Sequence, residues 1–295
     1  MSFTRGIYYI QNKDIPGVLS PGIPQTKFAT LHVKQPWSGS SDSRRAFPQL
    51  WLVDPSSSNL GIVYTIRNLS SGKYLTSRNG SSVVIDDPTH TTTDYWTITS
   101  HPLGYYRITN FEWKKSIGGQ NPNHYYTILG QNRNERWDLG KPLSCSGAEI
   151  DRILNVLRGP ANPTLDLQRL KGYTTTTGLY LIPSRGIFEE IRLAAGIEKT
   201  NFRNELFDCD DFAFEFKAAV AAWFTDKIGI DGIAIFCGIM FEEYLDNTGN
   251  PVTGHVYNFL LSDDHSQLQY YDPQDGNPPV RAPQYQSGRI FLALC

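Results

Sequence analysis

Tyr8-Tyr9-Ile10-Gln11-Asn12, Tyr64-Thr65-Ile66-Arg67-Asn68 and Tyr106-Arg107-Ile108-Thr109-Asn110 are three versions of one phrase, Tyr-x-Ile-x-Asn. Apolar residues alternate with polar ones at the period of a half-buried strand, and the closing Asn is a turn former. Each phrase runs on into a turn and a second short strand, clearest in NLSSGKYL (68–75) and NFEWKKSI (110–117) and weaker in NKDIPGVL (12–19). Each repeat closes on a tryptophan, in QLWLV (49–53), DYWTI (94–98) and ERWDL (135–139). From Asn to Trp the spacings are 39, 28 and 27 residues, so the first repeat carries an insertion, placed in the Pro/Ser/Gly-rich stretch around 35–42. Self-similarity of this kind predicts a pseudo-threefold β-structure with four short strands per repeat and the three Trp in one shared core. A β-propeller would need more blades, and the repeats stop at residue 140.

This pattern resembles the ricin-B-type β-trefoil, whose mark is Gln-x-Trp near the end of each repeat. Gln49-Leu50-Trp51 keeps the Gln, whereas Asp94-Tyr95-Trp96 and Glu135-Arg136-Trp137 do not. The resemblance implies a lectin-like domain over residues 1–140. Sugar-binding repeats of that family carry an Asp just after the second strand; aligned on the opening Asn, the positions here hold Ser20, Thr76 and Gly118. A carboxylate makes charge-assisted hydrogen bonds that these groups cannot, so the ancestral pockets are expected to be altered or silent. The turn-rich segments 78–87 and 120–132 offer other groups, and Asn121, Tyr125, Gln131 and Asn132 are the candidate carbohydrate contacts. Ordinary solvated loop is the competing reading of both segments.

Composition narrows the function classes. Lys and Arg number 27 against 29 Asp and Glu, a net charge of −2, which argues against a nonspecific nucleic-acid or anionic-membrane binder. The wealth of Tyr, Phe, Gly and Pro favours β-structure with many turns. No apolar run reaches the ~18–20 residues of a membrane span, and MSFTRGIYYIQNKD at the N-terminus has no secretory pattern. Cys145, Cys209, Cys237 and Cys295 are far apart and lack metal-type spacing. They are expected to be free thiols in a reducing, cytoplasmic compartment, with any release by a non-classical route.

After Leu139 the periodicity changes, and GKPLSCSGA (140–148) reads as a linker to an α+β domain over residues 147–295. Ser146 and Glu149 have capping-box spacing, and Ile150, Ile153, Leu154 and Leu157 recur at helical intervals until Gly159-Pro160. A second helix is predicted over 186–195 and a third over 207–224, with Phe212, Phe216, Ala219 and Trp223 on one face. Strands follow at 232–244, 254–262 and 268–272, the first two joined by the turn DNTGNP, so helices precede an antiparallel sheet.

Cys209 stands at the start of the strongest helix, where unpaired backbone N–H groups and the helix dipole favour a thiolate. Its neighbours Asp208, Asp210 and Asp211 make burial in a dry core implausible, whereas Cys237 in an apolar strand reads as a small hydrophobe. His255 opens a strand 46 residues later, and Asp272 ends the next one 17 residues beyond. Adjacent antiparallel strands can set His255 and Asp272 side by side, facing the helix start. Cys, His, carboxylate is the order of nucleophile, base and orienting group in papain-like enzymes. Singly, each has a structural reading: a satisfied strand His, or an Asp forming a turn before Pro273. The three acids either complement the helix N-terminus or hold a cation, since three negative charges crowd the thiol.

DCDDF, GHVYNF and YYDPQ behind a Trp-repeat trefoil resemble the chimeric mushroom agglutinins, the lectin and cysteine-protease family typified by Marasmius oreades agglutinin, over essentially the whole chain. That resemblance implies a papain-like, calcium-dependent protease domain that also forms a homodimer, with Cys209 as nucleophile, His255 as base and Asp272 orienting it. The member that typifies the family carries Glu at the last place, and Asp, one methylene shorter, is expected to lengthen the bond to His255. Calcium takes six to eight oxygens, and Asp208, Asp210 and Asp211 are its candidate ligands. Backbone N–H groups at the helix start would form the oxyanion hole, with Asn204 as a side-chain donor. The expected partners are glycoconjugates and peptide or protein substrates. Two other readings stand beside this one: a pure glycan-binding agglutinin whose second domain only dimerises, and a transglutaminase-like acyl transferase.

Overall fold

The protein is described by a computed structural model over residues 3–15, 17–21, 29–32, 49–58, 61–119, 127–130, 134–140, 143–155, 166–168, 178–197, 200, 208–228, 230–262, 265, 267–275, 279 and 288–294. The chain forms two compact units, 1–143 with 227–231 and 144–226 with 232–295.

The first unit is all-β, with eleven strands joined through one hydrogen-bonded network. Its threefold plan shows in the register. Trp51 pairs with Asn68, Trp96 with Asn110 and Trp137 with Asn12, so the closing Trp of each repeat opposes the opening Asn of the next and the third returns to the first. All three indoles are fully buried in one core with Ile10, Ile66, Ile108, Leu19, Leu75 and Ile117. Each Nε1–H donates to a carbonyl of its own repeat's second strand: Trp51 to Leu19 (2.9 Å), Trp96 to Leu75 (2.8 Å) and Trp137 to Ile117 (2.8 Å). A buried indole N–H needs such a partner.

The opening Asn residues, also buried, hold the turns. Asn12 Oδ1 accepts from the N–H groups of Asp14 and Ile15, Asn68 Oδ1 from Ser71, and Asn110 Oδ1 from Glu112 and Trp113. Their Nδ2 groups donate to the carbonyls of Asn134, Leu50 and Thr93. This is why Gln-x-Trp can lose its Gln: Trp and Asn carry the packing and the turns. The predicted insertion around 35–42 lies outside the described residues.

Among its described residues, the second unit contains three helices and two sheets. Residues 144–146, expected within the linker, instead form a strand, Ser144–Ser146, antiparallel to Leu179–Leu181. Its Ser-Cys-Ser composition looks loop-like, but Cys145 is buried in the apolar core of this unit. Helix α1 (Gly147–Asn155) begins there with the expected capping box: Ser146 N–H and Oγ donate to Glu149 Oε2 (2.7 and 2.8 Å), and Glu149 N–H donates to Ser146 Oγ (3.3 Å). The stop expected at Gly159-Pro160 lies outside the described residues. Helix α2 (Arg185–Ala195) is capped by Ser184 and ends at Gly196, whose left-handed φ of 62° suits glycine. Helix α3 (Cys209–Lys227) buries Phe212, Ala213, Phe216, Val220, Trp223 and Phe224; Ala219, expected on that face, is half-buried.

The stretch 232–244 is two strands in two sheets rather than one. Ile233–Ile235 runs parallel to Leu179–Leu181, and after the buried Phe236 and Cys237 the chain enters the second sheet as Gly238–Leu245. Only glycine fits where it enters, since a Cβ on Gly238 would lie 2.2 Å from the Phe259 ring. The second sheet has the order Asp166–Gln168, Gly288–Leu294, Gly238–Leu245, Pro251–Leu261, Leu268–Tyr271. It is mixed rather than purely antiparallel, because the first pair runs parallel. The predicted hairpin is present: Asp246 Oδ1 accepts from the N–H groups of Thr248 and Asn250, and the flanking strands pair from Gly238↔Phe259 to Leu245↔Pro251. Among the described residues, no helix is long and apolar enough to cross a membrane.

Candidate functional site

Cys209 is the first residue of α3, in the turn where helical N–H groups lack intrahelical partners. The Asp208 carbonyl accepts from Phe212 N–H, and the Asp211 carboxylate accepts from Asp208 N–H at 3.3 Å. Asp211 therefore reaches back over the helix start in capping-box fashion. Two anchors hold this helix against the second sheet. Asn258 Nδ2 donates to the carbonyls of Ala213 (3.0 Å) and Gly238 (3.2 Å). Tyr271 packs between Phe188 of α2 and Phe216 of α3, with ring centroids 4.7 Å from each.

These anchors sit next to the chemistry. Asn258 lies three residues beyond His255, and Tyr271 immediately precedes Asp272. His255 Nε2 is 2.6 Å from Asp272 Oδ2, with both side chains largely shielded. Asp272 Oδ1 accepts from Gln274 N–H (3.0 Å), which fixes the carboxylate from behind. The lengthening expected from Asp in place of Glu does not occur, because this backbone turn carries the shorter side chain to the ring. Cys209 acts on the same imidazole and, with Asp272, favours its charged form. Burial lowers the pKa of His255, but the bonds to Asp272 and Cys209 and their charges outweigh it and push the pKa up to about 10.

The other described cysteines stand apart from this arrangement. Cys237 is fully buried and its thiol is pushed up to about 11 by that burial. Cys145 is pushed up to about 12 for the same reason, with Glu149 adding to the shift, and its Sγ lies 3.1 Å from His265 Nδ1. Among the described cysteines, only Cys209 combines partial exposure with a helix N-terminus and a charged imidazole.

Asp208, Asp210 and Asp211 each place a carboxylate oxygen within 4.8 Å of the others. Asp210 is held above the usual carboxylate range by its hydrogen bond to Asp208, by burial and by the charges of Asp208 and Asp211. Asn204, Asn121, Tyr125, Gln131 and Asn132 lie outside the described residues. Ser20 and Thr76, at two positions of the missing sugar-coordinating Asp, are buried, and their hydroxyls donate to the Pro21 and Thr93 carbonyls. Gly118 is buried as well.

Sequence reading missed four residues around the site: Asn258, Tyr271, Glu242 and Tyr244. The period-two alternation of GIMFEEYL, which sets Glu242 in phase with Met240 and Tyr244, was the available signal for an inward acid.

Residues 48–123 match the ricin-type beta-trefoil lectin domain-like family, and residues 180–278 match the agglutinin C-terminal family. Comparison with curated proteins gave no match. Among solved structures, the chain is similar to Polyporus squamosus lectin bound to the human-type influenza-binding epitope Neu5Aca2-6Galb1-4GlcNAc, at 25% identity and a TM-score of 0.80, with 100% of both chains covered. It is likewise similar to PSL1a in its E64 complex, at 25% identity and a TM-score of 0.77 over 100% of both chains. With its ring of three buried tryptophans followed by an agglutinin C-terminal domain, the chain fits a chimeric mushroom lectin family.

Proposed function

We propose that this protein is a chimeric lectin whose second domain is a papain-like, calcium-dependent cysteine endopeptidase. The observation that carries the reading is one imidazole, His255, held by Asp272 at 2.6 Å and electrostatically coupled to Cys209. In the reaction, the Cys209 thiolate attacks a peptide carbonyl carbon, and the oxyanion is met by N–H groups of the first turn of α3. His255 then gives its proton to the leaving amine, leaving a thioester. It next takes a proton from water, whose oxygen attacks the thioester and releases the acid and the Cys209 thiolate, restoring the starting ion pair. Asp272 keeps the ring in the orientation that serves both steps.

Asp208, Asp210 and Asp211 fit a hard cation, because oxygen ligands gathered this closely repel one another, as the raised pKa of Asp210 reflects. Calcium would supply the charge that lets all three ionise together beside Cys209. For the trefoil, the likeness to a lectin that holds a sialylated galactose epitope supports glycoconjugates as the ligand class. Ser20, Thr76 and Gly118 imply that recognition rests on other groups.

E64 is a thiol-directed epoxide, and the likeness to PSL1a in its E64 complex suggests it as the probe. With calcium present, the wild type should take up one E64 at Cys209, located by peptide mass mapping, and lose cleavage of labelled denatured casein. Cys209→Ala should fold normally, since Ala is the best helix former, and neither react nor cleave. Cleavage retained in Cys209→Ala, or lost in Cys237→Ala with Cys209 intact, would assign the nucleophile wrongly. A wild type inert to both probes would leave a glycan-binding protein.

A further inference from the structure

Glu242 is a buried acid that the mechanism above does not use. It is 2% exposed and lies directly opposite His255 on the neighbouring strand of the five-stranded sheet. Residues paired in this way have Cβ atoms about 4.5–5.5 Å apart. The Tyr244 hydroxyl donates to Glu242 Oε2 at 3.4 Å, and the buried Tyr257 hydroxyl is a second neighbour. The Tyr257 ring in turn lies 5.9 Å from the His255 ring, between centroids. An acid kept out of water at this cost needs compensation, and the one basic group facing it among the described residues is the His255 imidazole.

We propose that Glu242, steadied by Tyr244 and Tyr257, is a positioning residue that acts through His255, a second carboxylate holding the ring between Asp272 and Cys209. This inference rests on the endopeptidase reading. Among the described residues, the groups facing His255 and Glu242 are Cys209 from α3, Glu242 and Tyr244 from Gly238–Leu245, Tyr257 from Pro251–Leu261, Tyr270 from Leu268–Tyr271 and Asp272 just after it. Their mutual effects agree with the geometry. Burial raises the pKa of Glu242, while the nearby Tyr257 phenol, the hydrogen bond from Tyr244 and the charge of His255 oppose that rise. The Tyr257 phenol is raised, first by burial and then by Glu242. With two carboxylates on one imidazole, losing Asp272 alone should slow the reaction rather than end it.

The experiment titrates the His255 Hε1 resonance by NMR in the full chain with calcium, for wild type, Glu242→Gln and Asp272→Asn. Glu242→Gln removes the charge but keeps the shape. It should lower the imidazole midpoint by about one unit, and lower kcat on labelled casein about tenfold with KM changed less than twofold. An unchanged midpoint in folded Glu242→Gln would make Glu242 a structural residue and overturn the proposal. If Glu242→Gln does not fold, Tyr244→Phe, which deletes the half-exposed hydroxyl bonded to Glu242, is read in its place. It should move the midpoint the same way by a smaller amount, and no movement counts against the proposal. The titration needs no catalysis. A midpoint lowered by Glu242→Gln in a protein whose wild type is inert to casein and E64 would therefore overturn the endopeptidase reading while leaving the coupling of Glu242 to His255 in place.

Discussion

Asn258 Nδ2 donates to the Ala213 carbonyl at 3.0 Å, tying the strand that carries His255 to the helix that begins at Cys209. The bond spans 45 residues of chain and ends four residues from the thiol and three from the imidazole. The same amide donates to Gly238, so one fully buried side chain holds α3 and two strands together. Asn258→Leu keeps the volume but removes both hydrogen bonds to buried carbonyls. It should cost about 1–3 kcal/mol of stability, measured by urea denaturation, and slow E64 labelling of Cys209 in the fraction that stays folded. A variant as stable and reactive as wild type would show that packing alone sets the distance from helix to strand.

The three acids at the start of α3 give a metal prediction. Chelation should abolish casein cleavage, and added calcium should restore it. Binding to the folded state alone should raise Tm with the logarithm of calcium concentration. Asp210→Asn should weaken that dependence, because it removes one of the three gathered carboxylates. Full cleavage in excess chelator would take the metal out of the mechanism.

His255 gives a prediction for pH and stability. Its folded pKa, about 10, lies above its ordinary value of 6.5, so folding favours the imidazolium. The stabilisation is therefore complete below about pH 6.5, where the unfolded chain is charged too, and is lost as pH climbs through 10. The stability difference between wild type and His255→Gln, from denaturant titrations at several pH values, should be largest near pH 6 and shrink towards pH 10. A difference that grows over that window would mean that the ring is held neutral.

The trefoil prediction is negative. With Ser20, Thr76 and Gly118 buried in place of the acidic residues of sugar-binding repeats, binding of free galactose should be weak or absent by calorimetry. Millimolar or tighter affinity would show that other groups have replaced the lost carboxylates.

Much of this protein could be read from the chain because its signals are local and repeated. The Tyr-x-Ile-x-Asn phrase recurs three times with a Trp behind each copy, and the register confirms the plan: Trp51 meets Asn68, Trp96 meets Asn110 and Trp137 meets Asn12. The helix start at Cys209 and the Ser146–Glu149 capping box are likewise local, since both are set by residues within one turn. Tertiary structure decided what depends on partners distant in sequence. Ser144–Ser146 became a strand because Leu179–Leu181 was there to pair with it, and 232–244 split because two sheets competed for it. Glu242 came to face His255 only because the hairpin shifts register between Tyr244 and Leu245; counting back from the Leu245↔Pro251 pair would put Gly254 opposite it instead. Side-chain alternation marks the face of a strand, but the neighbour across the sheet is set by turn geometry and bulges, which are settled only when the chain closes on itself.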